Sequence, residues 1–368
     1  MLLSVFGGLF VFYIAYFSWL FTTSTFDSIA NLYSNTYGII PLIGGLYGIY
    51  ISPRWGGFKS AVGRAVFFLS LGLVTWGCGI MIWLYYNIVV GIAVPYPSLA
   101  DAAFFVSWPL WGIGAAYLSL ATGARFALKE MRGRIMLFIA PLVIIAFSYF
   151  ALVSFARGGL ISTFDDAVKA FFDLAYPIGD VVILSIAVLI FGLSYQYFGG
   201  IYKRPIFLIL GGFVMNYAAD FTFSYTTTLE TYYNGSLADV LFMTTMSLLS
   251  IGIVLMDPGS EETQTSTGSV FTRIVSFDQM VTSIVKEQEQ IIGPLAWTEA
   301  GKVQGLAVNR AKGEVAIADP DPKGVVDRLV ARYESLFGGA SLQVCREATA
   351  AIISTMPRTD VPSSLLAA

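Results

Sequence analysis

The stretch Val62–Val90, VGRAVFFLSLGLVTWGCGIMIWLYYNIVV, carries no charged residue after Arg64. A helix crosses a bilayer with about 20 apolar residues, so this run is long enough to span one. Comparable runs lie on either side. They predict eight spans: Leu2–Phe21, Tyr37–Ile51, Val62–Val90, Ala100–Thr122, Ile135–Phe155, Phe171–Tyr195, Pro205–Thr226 and Leu237–Met256. The second is the shortest, and its Gly44-x-x-x-Gly48 pair permits close helix packing. The uncharged start runs to Asp27, longer than the core of a cleavable signal peptide.

Composition agrees with this count. The chain of 368 residues is 56% apolar and only 12% charged, about half the charged share of an average soluble domain. The polar part is confined to the C-terminal segment. Residues 257–368 hold 10 Lys/Arg and 14 Asp/Glu, a balance that offers nothing to nucleic acid. There is no histidine. A phospho-accepting histidine, a histidine-ligated metal or haem and a Ser-His-Asp triad are therefore excluded. The two cysteines, Cys78 in an apolar run and Cys345 in the polar tail, are too few for a Cys₄ metal site and fall in different phases. No cofactor is expected.

The loop charges orient the spans. Arg54, Lys59 and Arg64 follow the second span. Arg125, Lys129, Arg132 and Arg134 follow the fourth, and Lys203 and Arg204 follow the sixth; the alternate loops hold Arg157 and Lys169. The positive-inside rule then places both termini in the cytoplasm of a multi-pass protein of the inner membrane. The expected architecture is an all-α polytopic membrane bundle over residues 1–256. A flexible linker, 257–270, and a small cytoplasmic α+β domain, 271–368, follow it.

Within this frame four aspartates stand out: Asp101, Asp180, Asp220 and Asp239. Each lies in or at the mouth of an apolar run, where an ionisable group is costly and marks a functional site by default. The orientation brings all four to the outer half of the bundle. Two readings compete for Asp101 and Asp239. Ser98-x-x-Asp101 and Ser236-x-x-Asp239 have capping-box spacing, which alone explains an acid in a first turn. Asp180 lies nine residues inside its helix if that helix starts near Phe171, and is another N-terminal acid if Pro177 opens a restarted helix; Tyr176-Pro177 makes a break or kink there the expectation. Asp220, near Asn216 and Tyr217, has no capping role, so it is expected to face the bundle interior. It would serve there either as a hydrogen-bond hub or as part of a cation, proton or amine site. Tyr85, Tyr86, Tyr96, Trp108, Trp111, Tyr176, Tyr232 and Tyr233 cluster at the same level. An interfacial belt explains most of them; those facing inward would form a cage for a cation. The candidate ligand-binding set is Asp220, Asp180, Asp101, Asp239, Tyr96, Tyr176, Asn216 and Tyr217.

The segments Pro95-Tyr96-Pro97-Ser98-Leu99-Ala100-Asp101, Tyr176-Pro177-Ile178-Gly179-Asp180, Ala218-Ala219-Asp220-Phe221 and Tyr233-Asn234-Gly235-Ser236-Leu237-Ala238-Asp239 occur in that order. Over roughly residues 35–256 the pattern resembles the multi-spanning sensor-like region ahead of GGDEF diguanylate cyclase domains in bacterial signalling proteins. It also resembles the same region in uncharacterised bacterial integral membrane proteins. The resemblance implies an input module. It does not carry cyclase activity, because no Gly-Gly-Asp-Glu-Phe-like segment is present.

In the tail, Ile274, Phe277, Val281, Ile284, Gln288 and Ile291 fall at spacings of three and four. They form either a short heptad seam that pairs two copies or an amphipathic helix packing on the tail itself. A helix over Leu295–Val303, strands over Gly305–Asn309 and Glu314–Ala318, and a helix capped by Asp321 with Pro322 in its first turn follow. That helix stops at Gly338-Gly339, and Ser341 caps another through about Met356. Cys345 reads as core. The expected function is a non-enzymatic membrane sensor that relays a stimulus from its outer half to the tail and on to a cytoplasmic protein. A proton- or cation-coupled transporter and a membrane scaffold are the alternatives.

Overall fold

A computed structural model describes residues 2–23, 28–129, 131–155, 167–194, 199–258 and 275–366. The helices are α1 (Leu2–Thr23), α2 (Ser28–Thr36), α3 (Ile39–Ile51), α4 (Ala61–Leu84), α5 (Leu99–Ala121), α6 (Ala124–Ala127), α7 (Met131–Ser148), α8 (Ala167–Ser194), α9 (Lys203–Thr228) and α10 (Leu237–Leu255). Those of the tail are α11 (Val275–Ile292), α12 (Leu295–Gly301), α13 (Pro322–Phe337) and α14 (Gly339–Ile353). π-helical turns extend α4 over Tyr85–Val90 and α7 over Tyr149–Phe155. Among the described residues seven helices, α1, α4, α5, α7, α8, α9 and α10, are long and apolar enough to cross a membrane.

The second expected span differs in form. Its 13-residue helix, α3, is about 20 Å long, short of a bilayer core. Pro41 has no N–H to give the Tyr37 carbonyl, which accepts Ile40 N–H at 3.0 Å instead. The helix is thereby broken into α2 and α3 at Tyr37-Gly38. Together the two pieces run from the level of Asn35, which accepts from Asn87 Nδ2 at 3.1 Å, to Tyr47, whose hydroxyl donates to Asp257 just past α10. Gly44 and Gly48 bring α3 against α10 and α4: a Cβ at Gly44 would lie 2.5 Å from Ser250 Cβ, and one at Gly48 1.9 Å from Ser70 Oγ.

Pro177 does not interrupt α8, which runs continuously from Ala167 to Ser194. Asp180 is therefore an interior residue of a long helix, about 21 Å from the Ser194 end, and not an N-terminal acid.

The tail is built largely as the pattern implies. β1 (Leu306–Asn309) and β2 (Glu314–Ile317) form an antiparallel hairpin with Leu306 opposite Ile317. Asp321 Oδ1 accepts Gly324 N–H at 3.0 Å and opens α13 over Pro322. Ser341 is not a cap. α14 begins at Gly339, because Gly338 already turns the chain, and Ser341 is buried two residues inside the helix. Its carbonyl accepts Gln288 Nε2 at 2.9 Å, so the one polar member of the α11 seam is spent inside the tail. Phe277, Val281 and Ile284 are buried in the tail's own core and Ile291 is half-buried. Ile274 lies outside the described residues, as does most of the expected linker. Phe277, Val281 and Ile284 thus pack within the chain's own core.

The tail does not hang free. Trp55, in the turn after α3, is fully buried and its Nε1 donates to Met256 O at 2.7 Å. Its ring meets Tyr202 at 5.0 Å and Phe337 at 6.2 Å. Ile201 N–H and Tyr202 N–H donate to the Ser335 and Leu336 carbonyls at the end of α13. Gly338, at φ 63°, touches Gly199: a Cβ there would sit 2.4 Å from Gly199 Cα. One apolar core runs through bundle and tail without a break.

Candidate functional site

At the end of the bundle away from the tail, α2, α4, α5, α8, α9 and α10 surround a cavity of about 650 Å³. The direction follows from the helices. Asp101 and Asp239 sit in the first turns of α5 and α10, and α10 ends beside Trp55 and the tail. Asp220 lies 17 residues beyond Lys203 on α9, about 26 Å from the tail-side end.

All four aspartates line this cavity, with Tyr96 and Tyr176. Asp101, Asp180 and Asp239 are at least nine-tenths buried and Asp220 is half-buried. Asn216 and Tyr217 are not in the wall. Asn216 Nδ2 donates to Asp220 Oδ2 at 2.6 Å, one helical turn along α9, and so orients the carboxylate from behind. Tyr217 turns away and donates to Ser148 Oγ on α7 at 2.9 Å.

The two capping motifs diverge. Asp101 completes a capping box: its Oδ2 accepts Ser98 N–H at 2.7 Å and Ser98 Oγ–H at 3.0 Å. Its Oδ1 faces the other way and accepts the Tyr176 hydroxyl at 2.7 Å. The same carboxylate therefore caps α5 and ties it to α8. Asp239 repeats the spacing without the box. Ser236 Oγ makes no hydrogen bond among the described residues. Instead Gly235, at φ 82°, aims its N–H at Asp239 Oδ2, 2.6 Å away, and Tyr232 donates to Oδ1 at 3.3 Å. Tyr232 lies in the loop before α10; burial first, and then the neighbouring Asp239, push its hydroxyl well above its usual range, so it remains a donor.

Aromatic rings make up most of the remaining wall. Trp76 packs between Phe104 at 5.2 Å and Phe242 at 5.7 Å. Trp108 meets Tyr176 edge-on at 5.0 Å. Of the aromatics grouped by level in the sequence, Tyr96, Trp108, Tyr176 and Tyr232 face the cavity. Trp111 is buried elsewhere, with Nε1 donating to Leu69 O at 3.2 Å, and Tyr85 and Tyr233 are exposed. Among the described residues no Lys or Arg lines the site.

Sequence reasoning missed Tyr37, Trp76, Trp83, Phe223, Ser224, Thr227, Thr228 and Phe242, all of which line the cavity. A signal was present. Asp220, Phe223, Ser224, Thr227 and Thr228 recur at i, i+3, i+4, i+7 and i+8, one face of a helix. Trp76, Ile80 and Trp83 do the same on α4.

Among the described residues no group of three or more acidic or cysteine side chains is close enough to hold a metal ion. The acids are distributed around the wall and do not converge on a point. The arrangement can hold a molecule with both polar and apolar surface. Set against protein-family models, curated proteins and solved structures, the chain matches none.

Proposed function

We propose that this protein is a non-enzymatic membrane receptor. A stimulus is received in the acid-lined cavity on the outer side of an eight-crossing bundle and passed to a cytoplasmic tail docked on the opposite end. The observation that carries this reading is the path of α9. The helix presents Asp220 and Phe223 to the cavity, while the residues just before it bond the last turn of α13. A rigid helix of this kind can couple its two ends if the interface at its base has two arrangements.

In this reading α2 and α3 together form the eighth crossing, and both termini lie on the cytoplasmic side of the inner membrane. Two basic side chains of the tail-side loops support that orientation, because Arg54 pairs with Asp257 at 2.7 Å and Lys129 pairs with Glu347 on α14. The resemblance to input regions ahead of GGDEF domains is in keeping with it. Relay to a separate cytoplasmic protein would use the tail's outer surface.

The test compares wild type with Asp220→Asn and Asp239→Asn, full length in nanodiscs, by amide exchange over residues 199–202 and 334–338. The expected result is a change of exchange at this interface on substitution in the cavity. An interface blind to both substitutions sinks the receptor reading. Proton or cation flux in liposomes that depends on Asp220 would replace it with transport.

A further inference from the structure

Resting on the cavity as the receiving site, we infer that its occupant is an organic cation: a protonated or quaternary amine carried on an apolar frame.

Charge is the first reason. Four carboxylates enter the wall, and among the described residues no lysine or arginine accompanies them. In a low-dielectric site walled by aromatic rings, one sign of charge is focused and little screened by solvent. An anionic ligand would meet carboxylates and, among the described residues, no basic side chain to offset them.

Geometry then separates an organic cation from an inorganic one. A bound divalent ion needs about six oxygen atoms converging on one point. Here the acids are dispersed around the space, and no metal-holding group exists among the described residues. Dispersed acids suit a ligand with a body. The volume of about 650 Å³ falls among small-molecule sites. The body would lie against Trp76, with Phe104 and Phe242 beside it, and against Trp108. Indole faces attract an ammonium group and accept an apolar chain equally well.

Tyr37 gives an independent indication. Its side chain is 1% exposed and stands in the cavity wall. Tyr176 and Tyr232 spend their hydroxyls on Asp101 and Asp239. The Tyr37 hydroxyl has no hydrogen-bond partner among the described residues. The hydroxyl is not among the fully buried unpaired atoms, so it opens on the cavity and can bond whatever occupies it. A polar atom of the ligand would be its partner.

The test uses full-length protein in nanodiscs, with tryptophan fluorescence and thermal unfolding as readouts. The probes are 2-phenylethylamine, benzyltrimethylammonium and spermidine at millimolar concentration, against 2-phenylethanol and 2-phenylacetate. At least one amine is expected to shift both signals, and the alcohol and the acid are not. Asp220→Asn should weaken that amine on the order of tenfold, the scale of a charge-assisted contact. Tyr37→Phe keeps the ring packing and breaks no bond to the protein, so it should fold as wild type and still bind more weakly. The inference is overturned if the alcohol or the acid binds as well as the amines, if no amine binds the folded protein, or if Tyr37→Phe leaves affinity unchanged. Amide exchange of the tail in the same samples separates the two claims. Amine binding without a response at residues 334–338 refutes the receptor reading alone. A tail that responds to cavity substitutions without any amine binding refutes the ligand class alone.

Discussion

Tyr202 and Phe337 stack with ring centroids 5.0 Å apart and planes 22° from parallel, joining the base of α9 to the last residue of α13. With Trp55 against both rings, the contact between bundle and tail is an aromatic cluster in a continuous core and not a tether.

Phe337→Ala should therefore destabilise the docked tail by about 3–5 kcal/mol, the usual cost of emptying a buried phenylalanine site. Thermal unfolding of the full chain measures the loss, and amide exchange should rise over residues 199–202 and 334–338. Gly338→Ala should open the same interface, since its Cβ meets Gly199 and its positive φ disfavours any side chain. If both variants leave exchange at wild-type levels, the interface does not hold the tail.

The Asp101–Tyr176 bond links α5 to α8 and should show as coupling. Asp101→Ala removes the cap of α5 and the acceptor of Tyr176 together. A cost of about 1–3 kcal/mol is expected, larger than for Asp101→Asn, which keeps an acceptor. A double-mutant cycle of Asp101→Ala with Tyr176→Phe should return a coupling of about 0.5 kcal/mol or more. A purely local cap would give additive losses.

Cys345 should be chemically silent while the tail is folded. Burial pushes its thiol up to about 12, against the opposing effect of a Gln288 Nε2 contact at 3.4 Å. At pH 8 almost none is thiolate, the form that reacts. In a Cys78→Ser background, maleimide should label Cys345 only after denaturant unfolds the tail. Labelling at native rates typical of a free thiol would contradict the packing of α11 on α14.

Asp327 gives the tail an acid-sensitive fastening. Burial alone would raise its carboxyl, but the Ser364 hydroxyl and N–H, at 2.6 and 2.9 Å, and the Ser363 hydroxyl hold it below its usual value. A depressed folded-state value means its stabilisation is complete above the unfolded value of about 4 and is lost as pH falls below it. Asp327→Asn should be less stable than wild type at pH 7, and the difference should shrink on acidification below about pH 4. A difference that stays constant over this range would remove the linkage.

Much of this was written in local pattern. Asp321 before Pro322, Gly338 after Phe337 and the strands around Arg310–Gly313 follow from caps and turns that act over a few residues. Asp220 facing inward followed from the cost of a carboxylate in an apolar run. The failures came where two local rules compete. Pro177 allows a helix restart, yet α8 continues through it. Ser236 has the spacing of a cap, yet its hydroxyl accepts no first-turn N–H.

The sequence by itself determined that long apolar helices make up the first two-thirds of the chain, that a small α+β tail follows, and that four acids occupy the same level. Each rests on composition or on spacing along one helix, which the chain carries without reference to its neighbours. Only the tertiary structure decided that the acids share one cavity with Tyr37 and Trp76, that Tyr217 points elsewhere, and that the apolar seam of α11 is closed by α14. These depend on which faces of separate helices meet. That is set by close packing among residues far apart in the chain, such as Gly199 on Gly338 and Trp55 on Phe337.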